Sequence, residues 1–177
     1  LNSFLPPDIS IKRIFKVKDD FHARFDATKR CYQYHIHTVK DPFCNNFSFY
    51  YPYNLDIDAM NRAANYLIGK LDFTSMAKLH SNTKNNLCTL YNAAWSPSKI
   101  RADGTEASHL LFNICANRFL RNMVRAITGT LLEIGRGKEK PEWILEVLEK
   151  KERSAAGNSV PSHALFLTNI EYPYKLF

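Results

Sequence analysis

No run of about eighteen apolar residues occurs in this chain, so no segment is read as spanning a membrane. No charged start leads into an apolar stretch, so no signal peptide is read. The chain opens at Leu1-Asn2-Ser3, without Met, and is read as a fragment whose earlier part is missing. Cys31, Cys44, Cys88 and Cys115 lie far apart and make no CxxC pair, so reduced thiols in a cytoplasmic protein are expected. There is no GxxxxGKS phosphate loop, and Gly135-Arg136-Gly137-Lys138 is too short to be one. No repeat of fixed period and no low-complexity tract is present.

What is there suits a packed domain. The 177 residues fit one domain, or one domain plus a piece of another. Apolar residues make up 45% and aromatics 13%, enough for a core and wrong for a disordered chain. The net charge of +7 favours an anionic partner, of which nucleic acid is the usual one.

The most informative stretch is Ala116 to Gly135. Phe119, Leu120, Met123, Val124, Ile127, Leu131 and Ile134 recur at helical spacing and predict one broad apolar stripe. Arg118, Arg121 and Arg125 fall together opposite it, within roughly sixty degrees. Gly129 and Leu132 continue that arginine side, where neither has reason to face water. Glycine inside a helix costs about 1 kcal/mol against alanine, so Gly129 implies that something approaches closely. Arg125 is therefore placed where the helix passes under other protein, with Arg118 and Arg121 nearer a rim. The plainer alternative is an amphipathic helix with a basic outer face.

Elsewhere, Ile9, Ile11, Ile14, Phe15 and Val17 read as a strand, with a slip near Ile14. Phe21 to Arg30 has neither period and reads as an ordered connector. Cys31 to Thr38 is the cleanest strand: Tyr32, Tyr34, Ile36 and Thr38 share one face, and Cys31, Gln33, His35 and His37 the other. Asp41-Pro42 breaks it. Asn45 to Asn54 reads as a loop or short edge strand. Asp56 or Asp58 caps a helix with Met60, Ala63, Ala64, Leu67 and Ile68 inward and Gly69 as its stop. Leu87 to Trp95 and Ser108 to Ala116 read as strands of a hairpin turning through Pro97 to Glu106. Pro141 opens another helix, with Trp143, Ile144, Val147 and Leu148 inward. Leu165, Leu167 and Ile170 belong to a last strand. This order predicts an α+β fold, a ferredoxin-like split β-α-β arrangement with helices on one face of an antiparallel sheet.

Several chemistries fail on inspection. His35-Ile36-His37 with Cys31 has zinc-ligand character, but no second cluster completes four ligands, and no metal is expected. No serine, histidine and aspartate have triad spacing. Asp19, Asp20, Asp56, Asp58 and Asp103 all have turn or cap readings. What remains is basic and aromatic: His22, Arg24, Lys29, Arg30, Tyr32, Arg118, Phe119, Arg121 and Arg125 supply phosphate partners and stacking planes, as RNA binding requires.

Two of these stretches carry a resemblance. Phe21-His22-Ala23-Arg24-Phe25-Asp26-Ala27-Thr28-Lys29-Arg30-Cys31-Tyr32-Gln33-Tyr34 resembles the FHAR…AT.R.Y.Y signature of the tRNA pseudouridine synthase A (TruA) family. Asn117 to Arg125 resembles its second signature, followed by a G-x-L-x-x-x-G pattern at Gly129, Leu131 and Gly135. Leu165-Phe166-Leu167 to Tyr172-Pro173 resembles its closing strand. The match runs in order over essentially the whole chain.

The resemblance implies an enzyme that isomerises uridine to pseudouridine in the tRNA anticodon arm, at positions 38 to 40, as a homodimer with no cofactor or metal. It implies a catalytic aspartate in an upstream GRTDAG motif, which this sequence lacks, so the fragment is expected to be inactive alone. Residues 1–28 would be the end of an N-terminal domain and a connector, and 29–177 the C-terminal α/β domain. By position, Tyr32 matches the tyrosine that packs on the target base, with a part in proton removal. Arg125 matches the arginine that pairs with the catalytic aspartate. His22, Arg24, Arg30 and Arg118 are the implied RNA contacts. Cys88 stands where the family often carries arginine, and Ala164 replaces a common glycine. A non-catalytic RNA-binding domain and a dimerisation domain are the competing readings.

Overall fold

The computed structural model describes residues 1–78, 85–97 and 109–173. The sheet is built around β1 (Lys29–His37), whose alternating side chains are Tyr34 and Ile36 on one face and Gln33 and His35 on the other. One edge of β1 pairs antiparallel with β5 (His109–Ala116). Its other edge pairs antiparallel with β6 (Leu165–Glu171) and, at its far end, parallel with the two-residue β2 (Phe49–Tyr50). Beyond β5 come β4 (Leu87–Pro97) and then β3 (Gly69–Asp72), both antiparallel to their neighbours. The register sets Tyr34 opposite Phe112 and Ile36 opposite Leu110, and Trp95 stacks on Phe112 with ring centroids 4.8 Å apart. That face is the core.

Three helices cover it. Asp56 caps α1 (Ile57–Asn65) by accepting the Ala59 N–H at 2.8 Å, and Met60, Ala63 and Ala64 turn inward. In α2 (Met123–Gly135), eleven of thirteen residues are buried; only Arg125 and Glu133 are not. A helix enclosed all round is a core helix rather than an amphipathic surface one. Fully buried Ile127 and Leu131 each contribute roughly 1.5–3 kcal/mol by removal from water. Buried Thr128 and Thr130 donate their hydroxyls to the Val124 and Ala126 carbonyls, each at 2.8 Å. In α3 (Trp143–Lys150), Ile144, Val147 and Leu148 face inward.

The α+β architecture agrees with the sequence reading, and several details correct it. α2 begins at Met123, not near Ala116, because Asn122 adopts a left-handed conformation (φ 71°) that no helix continues through. Arg118 and Arg121 therefore precede the helix and do not share a helical face with Arg125. Ile9 to Val17 is no strand: it belongs to none of the sheet pairings among the described residues, its Ile11 backbone bonds instead to the Asn2 side chain, and Ile14 is 73% exposed. Ile68 lies beyond α1 and is exposed, while Gly69 (φ 105°) opens β3, an edge strand absent from the sequence reading. The turn read at Pro97 to Glu106 lies outside the described residues after Pro97, as does most of the polar loop read before Leu87. Cys31 and Cys115 are not reduced thiols: they stand opposite each other on β1 and β5, Cα atoms 4.1 Å apart, joined as a disulfide. No helix among the described residues is long and apolar enough to cross a membrane.

Candidate active site

At the start of β1 an open cleft of about 730 Å³ lies between sheet and α2, a size in the range of small-molecule sites. Its walls include Arg24, Tyr32, Lys78, Phe119, Arg121 and Arg125. Tyr32 comes from the helix-facing side of β1 and meets the Phe119 ring edge-on, centroids 5.2 Å apart. Phe119 and Arg121 come from the irregular 117–122 segment, and Lys78 follows a 3-10 turn at Thr74–Met76. A backbone bond from the Lys78 N–H to the Arg121 carbonyl, 2.9 Å, holds these two segments together.

Arg125 is half-buried, and only part of it is engaged. Its Nε donates to the Val160 carbonyl at 2.6 Å, while its own carbonyl accepts the Val160 N–H at 3.3 Å. The two terminal guanidinium nitrogens make no hydrogen bond, and Arg125 has no acid partner, among the described residues. Beside it, fully buried Tyr34 donates its hydroxyl to the Pro161 carbonyl at 2.8 Å. Burial pushes the Tyr34 phenol well above its ordinary range, and the Arg125 charge opposes that shift. A partly desolvated guanidinium with both terminal NH₂ groups unengaged among the described residues is suited to a carboxylate or phosphate brought to it.

The strap that holds Arg125, residues 153–160, crosses α2 at Gly129. A methyl group there would overlap the Asn158 carbonyl oxygen, so the close approach inferred for Gly129 is present. On the strap side, the Gly157 N–H donates to Thr130 Oγ1 at 3.1 Å. Arg153 donates to the Gly157 carbonyl (3.0 Å), the Ala156 carbonyl (3.3 Å) and Ser159 Oγ (2.8 Å), and burial lowers its pKa. Asn122 Nδ2 reaches the same Ser159 oxygen at 2.6 Å, tying the helix start to the strap.

Of the residues singled out from sequence, Tyr32, Arg125 and Arg24 line the cleft; His22, Arg30 and Arg118 do not. Arg30 is a brace: it donates to the Ala27 carbonyl (2.6 Å), the Asn117 carbonyl (2.7 Å) and the Arg24 carbonyl. His22 organises a turn, its Nδ1 accepting the Arg24 and Phe25 N–H groups at 3.1 and 3.3 Å. Arg118 lies on the link into α2, half-buried, its charge felt at Cys88. Cys88 itself is a core residue, and burial pushes its thiol up to about 11. Ala164 is fully buried, and its carbonyl accepts the His35 N–H at 3.0 Å. Phe119 and Arg121, named among the basic and aromatic residues suited to RNA, also line the cleft, and Lys78 is a cleft residue the sequence reading missed. Arg121 carried a signal, as part of a basic run; Lys78 carried none.

The grouping of Cys31 with His35 and His37 does not form, since Cys31 is bonded to Cys115 and His35 packs edge-on against Phe166 (5.1 Å). Among the described residues, the metal-ligating types that do stand together are Asp41, Cys44 and His109, away from the cleft.

A sequence profile described as tRNA pseudouridine synthase matches residues 63–173. The tRNA pseudouridine synthase A of Bacteroides thetaiotaomicron is 48% identical over 177 residues, all of this chain and 64% of that protein. That of Parabacteroides distasonis is 47% identical over the whole chain and 67% of its own length. That of Bacillus subtilis is 40% identical over 174 residues, 97% of this chain and 67% of the relative. The chain thus spans about two thirds of the length of these relatives. The matched profile extends over β3 to β6, α2 and α3, and the full-length matches take in the cleft residues Arg24 and Tyr32 as well: the chain belongs to the tRNA pseudouridine synthase family.

Proposed function

We propose that this chain forms the larger part of an enzyme that isomerises uridine to pseudouridine in the anticodon arm of tRNA, at positions 38 to 40. Arg125 is the observation that carries the reading: a half-buried guanidinium, fixed through Nε, with its terminal nitrogens unengaged and no acid partner among the described residues, at the wall of a cleft. The catalytic carboxylate then comes from the third of the relatives' length that this chain does not span. An adjacent guanidinium keeps such a partly desolvated carboxylate ionised and nucleophilic. The target uridine leaves its stack and enters the cleft. Tyr32, braced edge-on by Phe119, packs on the base and takes part in removing the proton from C5 after the base has turned. The N1–C1′ bond breaks, the base rotates, and a C5–C1′ bond replaces it with loss of the C5 proton. Arg24, Arg121 and Lys78 add positive charge at the cleft for the phosphate backbone.

The remaining features of this reading are a homodimer, a cytoplasmic location, and a boundary near residue 28 between an N-terminal domain and the C-terminal α/β domain. Release of a label from C5 of tRNA uridine tests it. The 177-residue chain alone is expected to release none, and the chain joined to the missing third of its relatives' length to release one per modified site. Turnover by the isolated chain would place the acid within it and overturn the assignment.

A further inference from the structure

The end of β1 opposite the cleft brings together side chains that the proposed isomerisation does not use. A carboxylate oxygen of Asp41, Sγ of Cys44 and a ring nitrogen of His109 all lie within 4.8 Å of one another. His109 opens β5 directly opposite His37 on β1, and the two rings stack with centroids 5.8 Å apart. His37 is fully buried. Its Nδ1 lies 3.0 Å from Ser48 Oγ, and its Nε2 is buried with no hydrogen-bond partner among the described residues. With the Nδ1 proton on Ser48, Nε2 presents a bare lone pair. A metal-bound histidine is held in the same way, one nitrogen fixed by a hydrogen bond and the other on the ion.

The turn after β1 is shaped to present the other donors. The Phe43 N–H donates to Asp41 Oδ1 at 2.9 Å, and the Cys44 carbonyl accepts the Phe47 and Ser48 N–H groups, both at 2.9 Å. Asp41 and Cys44 are partly open to solvent whereas both histidines are buried, so an ion would enter from the turn. Tetrahedral zinc at ligand distances of about 2.0–2.3 Å needs its donors roughly 3.3–3.8 Å apart. The spacing of Asp41, Cys44 and His109 requires a contraction of about 1 Å, which the two turn side chains can supply, and the His37 ring, which lies outside that group of three, must close on the same point.

We propose that Asp41, Cys44, His109 and His37 bind one structural Zn²⁺, which clips the turn after β1 to the start of β5. One thiolate, two imidazoles and one carboxylate suit this borderline-soft ion better than magnesium or calcium, and four protein donors make a closed site. The site lies on the opposite face of β1 from Tyr32 and about 17 Å along the strand, at roughly 3.3 Å per residue. It is thus a binding site separate from the catalytic cleft.

The test uses the untagged 177-residue chain with its Cys31–Cys115 bond intact, so that Cys44 and Cys88 are the cysteines outside the disulfide. Titration with Co²⁺ should show uptake of one equivalent, with four-coordinate visible bands and a thiolate-to-cobalt charge-transfer band, both abolished by Zn²⁺. Cys44→Ser should remove the charge-transfer band and weaken Zn²⁺ binding by at least tenfold. Zn²⁺ should also slow alkylation of Cys44 at least tenfold, and Asp41→Asn should abolish that protection. This second readout serves if the serine variant does not fold. Failure to take up a stoichiometric ion, or uptake and protection unchanged in both variants, would overturn the proposal.

Discussion

The connector (residues 21–28) and the strap (residues 153–160) both run outside the sheet and the three α-helices, and each is pinned by an arginine. Arg30, at the start of β1, donates to three backbone carbonyls, two of them in the connector. In the strap, Arg153 donates to two carbonyls and a hydroxyl. Neither guanidinium is offered to the cleft. Arg125, which the strap holds, uses only Nε among the described residues and leaves its forked end open. Positive charge therefore does not mark the functional residue in this chain. What distinguishes Arg125 is a half-buried cation whose donors the protein itself leaves unused, where desolvation makes an acidic partner worth most.

The sharpest way to break that distinction is to change each arginine in turn in the joined, full-length protein. Arg125→Lys retains a charge but loses the fork. Turnover is expected to fall about 10²–10³-fold, as for removal of one preorganised donor, with little change in the urea midpoint. Arg30→Ala should do the reverse. Loss of three charge-assisted bonds to backbone carbonyls costs about 2–3 kcal/mol, read from urea unfolding. The chemical step should persist under saturating substrate, with any loss confined to KM through displacement of Arg24. If the two variants lost stability and turnover in the same proportion, the division between bracing and facing arginines would fail.

The strap offers the next test. Gly129→Ala puts a methyl group onto the Asn158 carbonyl, and a backbone atom cannot swing aside as a side chain tip can. The strap must lift, at a cost of about 1–3 kcal/mol for overpacking. Because Val160 sits two residues beyond Asn158 and holds Arg125, kcat should fall along with the urea midpoint. An alanine that was silent in both would mean that the strap does not position Arg125.

Gly129 also shows what could be read beforehand. A glycine in the middle of an apolar helix has few reasons to be there, so its crossing was legible, as were the alternation of β1 and an aspartate cap on α1, which the structure narrows from Asp56 or Asp58 to Asp56. The helix start was not. Phe119 and Leu120 continue the helical spacing of α2 although the chain is irregular there, because both point inward from a link that simply runs along the same core. Ile9 to Val17 shows the opposite failure: it alternates as a strand does, but alternation makes no strand without a partner edge. Pairings across the fold left no local trace. Lys78 enters the cleft through one backbone bond to Arg121, and Cys31 meets Cys115 across 84 residues. Asp41 was readable as a strand breaker, and only the β1–β5 register brings His109 beside it.

The contrast between bracing and facing polar groups is weakest at Asp72, where it can be sharpened by pH. This carboxylate accepts the Thr74 hydroxyl at 2.6 Å and the Thr74 N–H at 3.0 Å, and Lys151 at the end of α3 stands 3.2 Å away. Those hydrogen bonds, the Thr74 hydroxyl first, hold its pKa below the ordinary carboxylate value despite opposing burial. A depressed folded-state pKa contributes stability that is present above the unfolded value of about 3.9 and disappears as pH falls through the folded one. The side chain is 31% exposed, so screening limits the effect to under about 1 kcal/mol. Asp72→Asn should therefore lower the urea midpoint slightly and by a constant amount from pH 5 to 7, with the gap closing below about pH 4. Turnover at neutral pH should not change, because Asp72 braces β3 and lies outside the cleft. A gap that did not narrow at all as pH fell below about 4 would show that the aspartate acts through packing rather than charge.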